Sequence, residues 1–451
     1  MSPPSLMDDV DAVQAQIGRN MLESGDWVTA RLDGVKYLEK SPLFYWFIAI
    51  SYKLVGIHDW AARIPVVLSV TLLCWLTWCA GRWAFSTAAG FYAGIVIATC
   101  TGLFLFTRIL IPDVCLTAVI LFTLWSFARA LDEEEIHPRL WSLAAAAGVG
   151  VGLLLKGLVA ALFPVGTAAI YLIVTGLWKK RDVWQRLQPL LGTLVVLAIA
   201  TPWHLLATLA NPPYFVPTLH SGPGEYKGFL WFYFINEHLL RFLNTRYPRD
   251  YNTVPRLWFW LLHLVWLFPW SVFLPSIFRL KYGTADRASR FRLLCAIWIG
   301  FVLLFFTFST TQEYYSMPCY PAFALLIGCG MQTCAGRRPP MLRVLAAITG
   351  AACLITAGLL VASIGMPAPG DISNALTQHP SAYTLSLGHM GDLTFESFAY
   401  LRMPLFLAAV AFAIGTAGAL LRNARAAYLI LALMMVVFLH AARLAMVAFD
   451  P

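Results

Sequence analysis

The sequence predicts an all-α polytopic membrane protein with about 12 transmembrane helices and further helices along its outer face. Three observations predict this. Of 451 residues, 59% are hydrophobic and only 12% charged, where a soluble domain carries about a quarter charged. Mean hydropathy is +0.70. Apolar stretches of about 20 residues recur, each long enough to cross a ~30 Å hydrocarbon core as a helix, and the alternating ~10-residue strands of a membrane barrel are not seen.

The elements follow in order. Residues 1–60 form a first outer segment. Its start, Met1 to Asp11, is polar and contains prolines, without the basic and apolar regions of a signal peptide. Leu43 to Gly56 includes Phe44, Tyr45, Trp46 and Phe47 and is too short to span. It reads as an interfacial helix or a half-buried packing helix. Spans are expected at 61–81, 88–107, 113–131, 139–156, 157–177 and 188–209, a first bundle over 61–209. A large outer loop occupies 210–256. Spans at 257–279, 292–310, 316–334 and 341–364 make a second bundle over 257–364. An outer loop at 365–402 precedes C-terminal helices at 403–422 and 426–447, within 403–451.

Alternating the loops sets the orientation. One side holds roughly 17 Lys/Arg against 6 Asp/Glu, the other roughly 15 against 17. The basic side is expected in the cytoplasm, although Asp132 to Glu135 is an acidic exception there. The long segments and the short turns at 107–112 and 311–315 then share the outer face. The net charge of +9 reads as basic helix flanks, not as nucleic-acid binding. The nine cysteines lie in or beside apolar segments with no CxxC pair, and read as packing residues.

Six groups on that outer face could carry chemistry. Asp8, Asp9 and Asp11 form a cluster whose mutual repulsion can raise a pKa toward that of a general base. Tyr37, Glu39 and Lys40 precede the aromatic helix, where a lysine can meet a lipid phosphate. Arg108 and Asp113 bracket the 107–112 turn, and charges at such depth are paired or functional. Lys156 has apolar neighbours on both sides and needs an anion, a bound phosphate being one. Glu237 and Arg241 are neighbours on a helix, with His238 a metal or acid/base candidate between them. Glu313, Tyr314 and Tyr315 open another helix, and tyrosine hydroxyls can donate to phosphate. For each group a purely structural reading stands beside the functional one: solvated terminus, snorkelling lysine, ion-pair clamp or aromatic belt.

Taken in order, Met21-Leu22-Glu23-Ser24-Gly25-Asp26-Trp27, Tyr37-Leu38-Glu39-Lys40, Lys156-Gly157, Glu237-His238-Leu239-Leu240-Arg241-Phe242 and Glu313-Tyr314-Tyr315-Ser316-Met317-Pro318-Cys319-Tyr320-Pro321 resemble the GT-C class of polyprenyl-phosphate-dependent glycosyltransferases. Within it they are similar to the protein O-mannosyltransferase superfamily, and most to the lipid A 4-amino-4-deoxy-L-arabinose transferase type. The resemblance runs from Asp8 to about residue 335. It implies a GT-C bundle and a sugar transferred from a polyprenyl-phosphate donor to a hydroxyl or phosphate of a lipid, glycan or protein, with inversion. The site would face the periplasm or exterior from the inner (plasma) membrane.

The resemblance also implies roles. Asp8 or Asp9 acts on the acceptor, Asp8 being favoured, and Asp113 is the acid of the next outer turn. Lys40, Lys156 and Tyr315 match the family's donor-side positions, and Arg241 is read beside them as a further ligand of the donor phosphate. Asp11, Tyr37, Arg108 and Glu313 are further candidates. Glu39 and His238 would hold a divalent metal. No Gly-rich phosphate loop is present, so no nucleotide cofactor is expected.

Departures are visible. Asp8-Asp9 lies two residues further from the Met-Leu-x-Ser-Gly-Asp-Trp stretch than in the arabinose transferases. The family's first helix has no counterpart in the sequence, which leads to the expectation of a late start codon or truncation. A soluble outer domain after the last helix is also not in the sequence. The alternative class is a lipid or solute transporter, which would need charges along a path through both leaflets; a non-catalytic scaffold would need neither Lys156 nor the Asp cluster.

Overall fold

A computed structural model describes residues 6, 9–247, 254–309, 311–334, 339–368 and 395–448. Eight helices among them are long and apolar enough to cross a membrane, and a bent pair makes up to nine. The outer segment supplies α1 (Asp9–Ser24), a hairpin of β1 (Arg31–Leu32) and β2 (Val35–Lys36), and α2 (Leu43–Val55). The last has one packed face and one open face. Phe44 and Tyr45 are buried against the protein, while Ile50 and Leu54 are exposed.

The first bundle runs α3 (Asp59–Ala84), α4 (Thr87–Thr99), α5 (Thr101–Phe106), α6 (Asp113–Leu131), α7 (Pro138–Lys156), α8 (Leu158–Val174), α9 (Arg181–Leu187) and α10 (Pro189–Ala210). The most enclosed long helix is α6, with 72% of its apolar window buried. It packs against α3, α7 and α8 and against the 3-10 turn Glu313–Cys319. A π-helix, Trp231–Leu240, forms the inner wall of the large outer loop. The second bundle has α11 (Arg256–Leu261), α12 (His263–Trp266), α13 (Leu274–Ile277), α14 (Arg287–Phe308), α15 (Tyr320–Thr333) and α16 (Met341–Ser363). The chain ends with α17 (Arg402–Leu420) and α18 (Ala424–Ala448).

Two expected spans are broken. The 88–107 stretch divides at Cys100, whose backbone is extended. The 257–279 stretch bends by 99° between Trp266 and Trp270. The breaks complement each other: the Thr101 N–H and hydroxyl both donate to the Phe268 carbonyl at 3.2 Å. The Trp270 indole donates to Thr99 Oγ1 at 2.9 Å. Freed backbone groups in a bilayer must find such partners. The 316–334 span starts as the 3-10 turn, and 157–177 is realised as the shorter α8. These pieces account for the difference between twelve expected spans and eight or nine long ones. Most of the 365–402 loop lies outside the described residues.

The basic loops meet at one end. Asp132 binds Arg287 at 2.7 Å and Arg290 at 3.5 Å, Glu134 binds Arg287, and Arg129 pairs with Glu135 at 2.6 Å. Arg186 donates to the Asp132 carbonyl. The acidic exception is thus the counter-charge of its own side. All nine cysteines are free.

Candidate active site

At the opposite end, α6 begins with Asp113 and its antiparallel neighbour α7 ends with Lys156. An acid in a first turn and a base in a last turn both suit the helix dipoles. Lys156 Nζ lies 2.5 Å from Asp113 Oδ1, and the carboxylate is buried. The anion Lys156 requires is therefore within the protein. Its ammonium also sits 5.6 Å and 5.7 Å from the Tyr314 and Tyr315 rings. The Arg108–Asp113 clamp does not form. Arg108 instead lies 4.4 Å over the Phe104 ring, and its carbonyl accepts from Arg63 Nη1.

Arg241 bridges the large loop to this corner. Its Nη2 lies 3.2 Å from the Tyr315 hydroxyl and its Nη1 lies 3.4 Å from Glu237 Oε2. Arg246 Nη1 reaches both Glu237 oxygens, at 2.7 and 2.8 Å. Asn236 adds a donor at 3.0 Å. Burial, followed by the Glu39 charge, raises the Glu237 carboxyl above its ordinary value, and Lys40, Arg246 and Arg241 oppose this. Lys40 Nζ lies 4.0 Å from Glu39, whose other neighbour is the Tyr37 hydroxyl at 3.4 Å. Burial and the Arg241 and Lys156 charges bring Lys40 down to about 8, with Glu39 and Glu237 opposing. Among the described ion pairs of this corner, four cations (Lys40, Lys156, Arg241, Arg246) thus stand with three carboxylates (Glu39, Asp113, Glu237), leaving one formal positive charge. Glu313 is half-buried, and burial raises its carboxyl.

The first-segment acids divide. Asp8 lies outside the described residues, and so does the side chain of Asp9, which opens α1. Asp11 is buried. Its Oδ2 takes Arg63 Nη2 at 2.6 Å and its Oδ1 takes the Leu110 N–H at 2.5 Å. It fastens α1 to the turn that leads into Asp113.

His238, expected with Glu39 to hold a metal, is engaged by backbone groups. His238 Nδ1–H donates to the Tyr233 carbonyl at 2.5 Å, and Nε2 accepts from the Leu158 N–H at 3.1 Å. Both ring nitrogens are committed to backbone, and burial, with Lys40 and Arg241, holds the imidazole down at about 4. Among the described residues no group of three or more His, Cys, Asp or Glu side chains is arranged to hold a metal ion.

Sequence reasoning missed Arg63, Arg246, Ser41 and Tyr233. Arg63 could have been found, as a charge inside the first turns of an apolar helix. Arg246 gave no periodic signal, since its partner lies nine residues back.

A family model for Dolichyl-phosphate-mannose-protein mannosyltransferase matches residues 39–205. The undecaprenyl phosphate-alpha-4-amino-4-deoxy-L-arabinose arabinosyl transferase of Pseudomonas aeruginosa (strain LESB58) is 30% identical over 327 residues, 70% of this chain and 53% of that protein. The transferase of the same name from Pectobacterium carotovorum subsp. carotovorum is 30% identical over 328 residues, 69% of this chain and 53% of its own. The chain thus spans about half the length of these curated relatives. The crystal structure of ArnT from Cupriavidus metallidurans bound to undecaprenyl phosphate superposes with a TM-score of 0.78 at 22% identity, covering 99% of this chain and 74% of that one. The chain thus shares the all-α membrane fold of the ArnT structure over nearly its whole length, and over seven tenths of it is similar in sequence to the arabinosyl transferases.

Proposed function

We propose that the chain is a membrane glycosyltransferase that moves a sugar from a polyprenyl-phosphate donor to an acceptor hydroxyl or phosphate on the outer face of the inner membrane. The observation that carries this reading is the convergence of Lys40, Lys156, Arg241 and Tyr315 around Asp113 and Glu237 at one end of the bundle. A transporter would need ionisable groups along a path between the leaflets. Here the described ion pairs of the site are confined to a single end. The relatives' names, which specify undecaprenyl phosphate and an arabinosyl group, support the donor class.

In this mechanism the donor phosphate enters among Lys40, Lys156, Arg241 and Tyr315, loosening their contacts with the carboxylates. A first-segment aspartate takes the proton from the acceptor, a step worth roughly 100- to 10,000-fold. The acceptor oxygen forms the new bond to the anomeric carbon as the carbon–oxygen bond to phosphate breaks. The phosphate leaves with the electron pair, and one displacement inverts the centre. Fixed donors aimed at the growing phosphate charge are worth several kcal/mol in a site of low dielectric. Asp8 and Asp9 are the candidate bases; Asp11 is already bonded at both oxygens and serves to hold the segment.

The test is product analysis by mass spectrometry with purified protein and polyprenyl-phosphate sugars. Lys156→Ala is expected to abolish transfer, and either Asp8→Asn or Asp9→Asn to reduce it by at least 100-fold. Full activity in both Asp variants would refute the base assignment, and no transfer from any polyprenyl-phosphate sugar would refute the reading itself.

A further inference from the structure

Three cations of like charge must be held close together before any phosphate arrives. Each adjoins a residue of one buried junction. Ser41 follows Lys40; its hydroxyl donates to the Leu153 carbonyl at 2.8 Å and contacts the Tyr233 hydroxyl. Gly157 and Leu158 follow Lys156, and the Leu158 N–H is taken by His238 Nε2. His238 lies one turn before Arg241 and is itself oriented by the Tyr233 carbonyl. Tyr233 is fully buried, with its ring 4.8 Å from the His238 ring. Gly157 has φ +73°, and a Cβ there would overlap both His238 Nε2 and the Tyr233 hydroxyl. Glycine is required twice over, by backbone conformation and by space.

We propose that Ser41, Tyr233 and His238 form a clasp that grips the α7–α8 corner by its backbone, and so fixes Lys40, Lys156 and Arg241 at the spacing a phosphate ester needs. This assigns His238 a positioning role in place of the metal ligation that the family resemblance implies. The ring has no lone pair left for a metal while the Leu158 bond stands. The clasp joins the first outer segment, the large outer loop and the first bundle at a single point, so it also sets where the loop lies over the site. The inference rests on the donor reading for its consequence, though not for its geometry.

Two measurements on the full chain in lipid nanodiscs separate them. One is the affinity for undecaprenyl phosphate, and the other is amide hydrogen exchange across residues 153–160. His238→Ala is expected to weaken binding by ~10-fold or more, the scale of one positioned hydrogen bond, and to speed exchange at Leu158. His238→Gln offers both an acceptor and a donor, and is expected to restore binding to within ~3-fold of the wild type. Lys156→Ala is expected to weaken binding while leaving Leu158 protected. Unchanged exchange at Leu158 in His238→Ala would overturn the clasp. So would a wild-type affinity that rises with added zinc and loses that response in His238→Ala. A wild type that fails to bind undecaprenyl phosphate, yet shows the exchange effect, would keep the clasp and remove the donor reading.

Discussion

Lys156 and Asp113 each occupy a position that neither could hold alone. Removing one partner of a buried pair costs about 3–5 kcal/mol, because the other charge remains buried and uncompensated. Lys156→Met should therefore lower the unfolding free energy in detergent by that amount, and adding Asp113→Asn should recover much of it. Lys40 gives a pH signature. Its folded-state value of about 8 lies below the ordinary 10.5, so the native protein sheds this proton before the unfolded chain does. Stability should rise with pH between about 8 and 10.5. Phosphate binding needs the charged form, so kcat/KM for the donor should fall across the same window. Lys40→Arg should move that descending limb out of range in a pH–rate profile. At this scale Lys156 was legible because a lone charge among leucines has few explanations. The Arg108–Asp113 clamp, one of two readings open in the sequence, does not form because nearness along a turn does not decide which way side chains point; Lys156, 43 residues on, lies closer.

Helix positions were legible to within a few residues for most long spans, because apolar runs and their polar ends are set by bilayer thickness. The 113–131 expectation coincides with α6, and 139–156 differs from α7 by one residue. The breaks at Cys100 and near Phe268 were not legible. Each is tolerated only because the other satisfies its backbone groups, and that pairing spans 167 residues. Small residues do similar work between elements. A Cβ on Gly90 would fall 2.5 Å from the Arg82 nitrogen and 2.6 Å from the Trp78 carbonyl oxygen, so α4 meets α3 backbone to backbone. Gly90→Val should exceed the ~1–3 kcal/mol usual for overpacking, since backbone cannot swing aside as a side chain can. Thermal unfolding in detergent measures it.

Across the whole molecule, charge is sorted to two ends, and counting basic residues in alternate loops was enough to sort it. The acids of 132–135 broke the pattern only until their partners Arg287, Arg290 and Arg129 were in view. The orientation is checked by labelling single cysteines at Lys36 and Lys180, both exposed, with a membrane-impermeant maleimide in intact cells and in inverted vesicles, the native cysteines having been replaced. Lys36→Cys should react in cells and Lys180→Cys only after inversion; labelling of both from one side would undo the topology. The balance of four cations against three carboxylates has a consequence for turnover. A phosphodiester brings one negative charge, whereas the monoester left behind carries nearly two at neutral pH. For the proposed transfer, this corner would therefore hold the spent carrier harder than the fresh one, slowing its escape into the lipid.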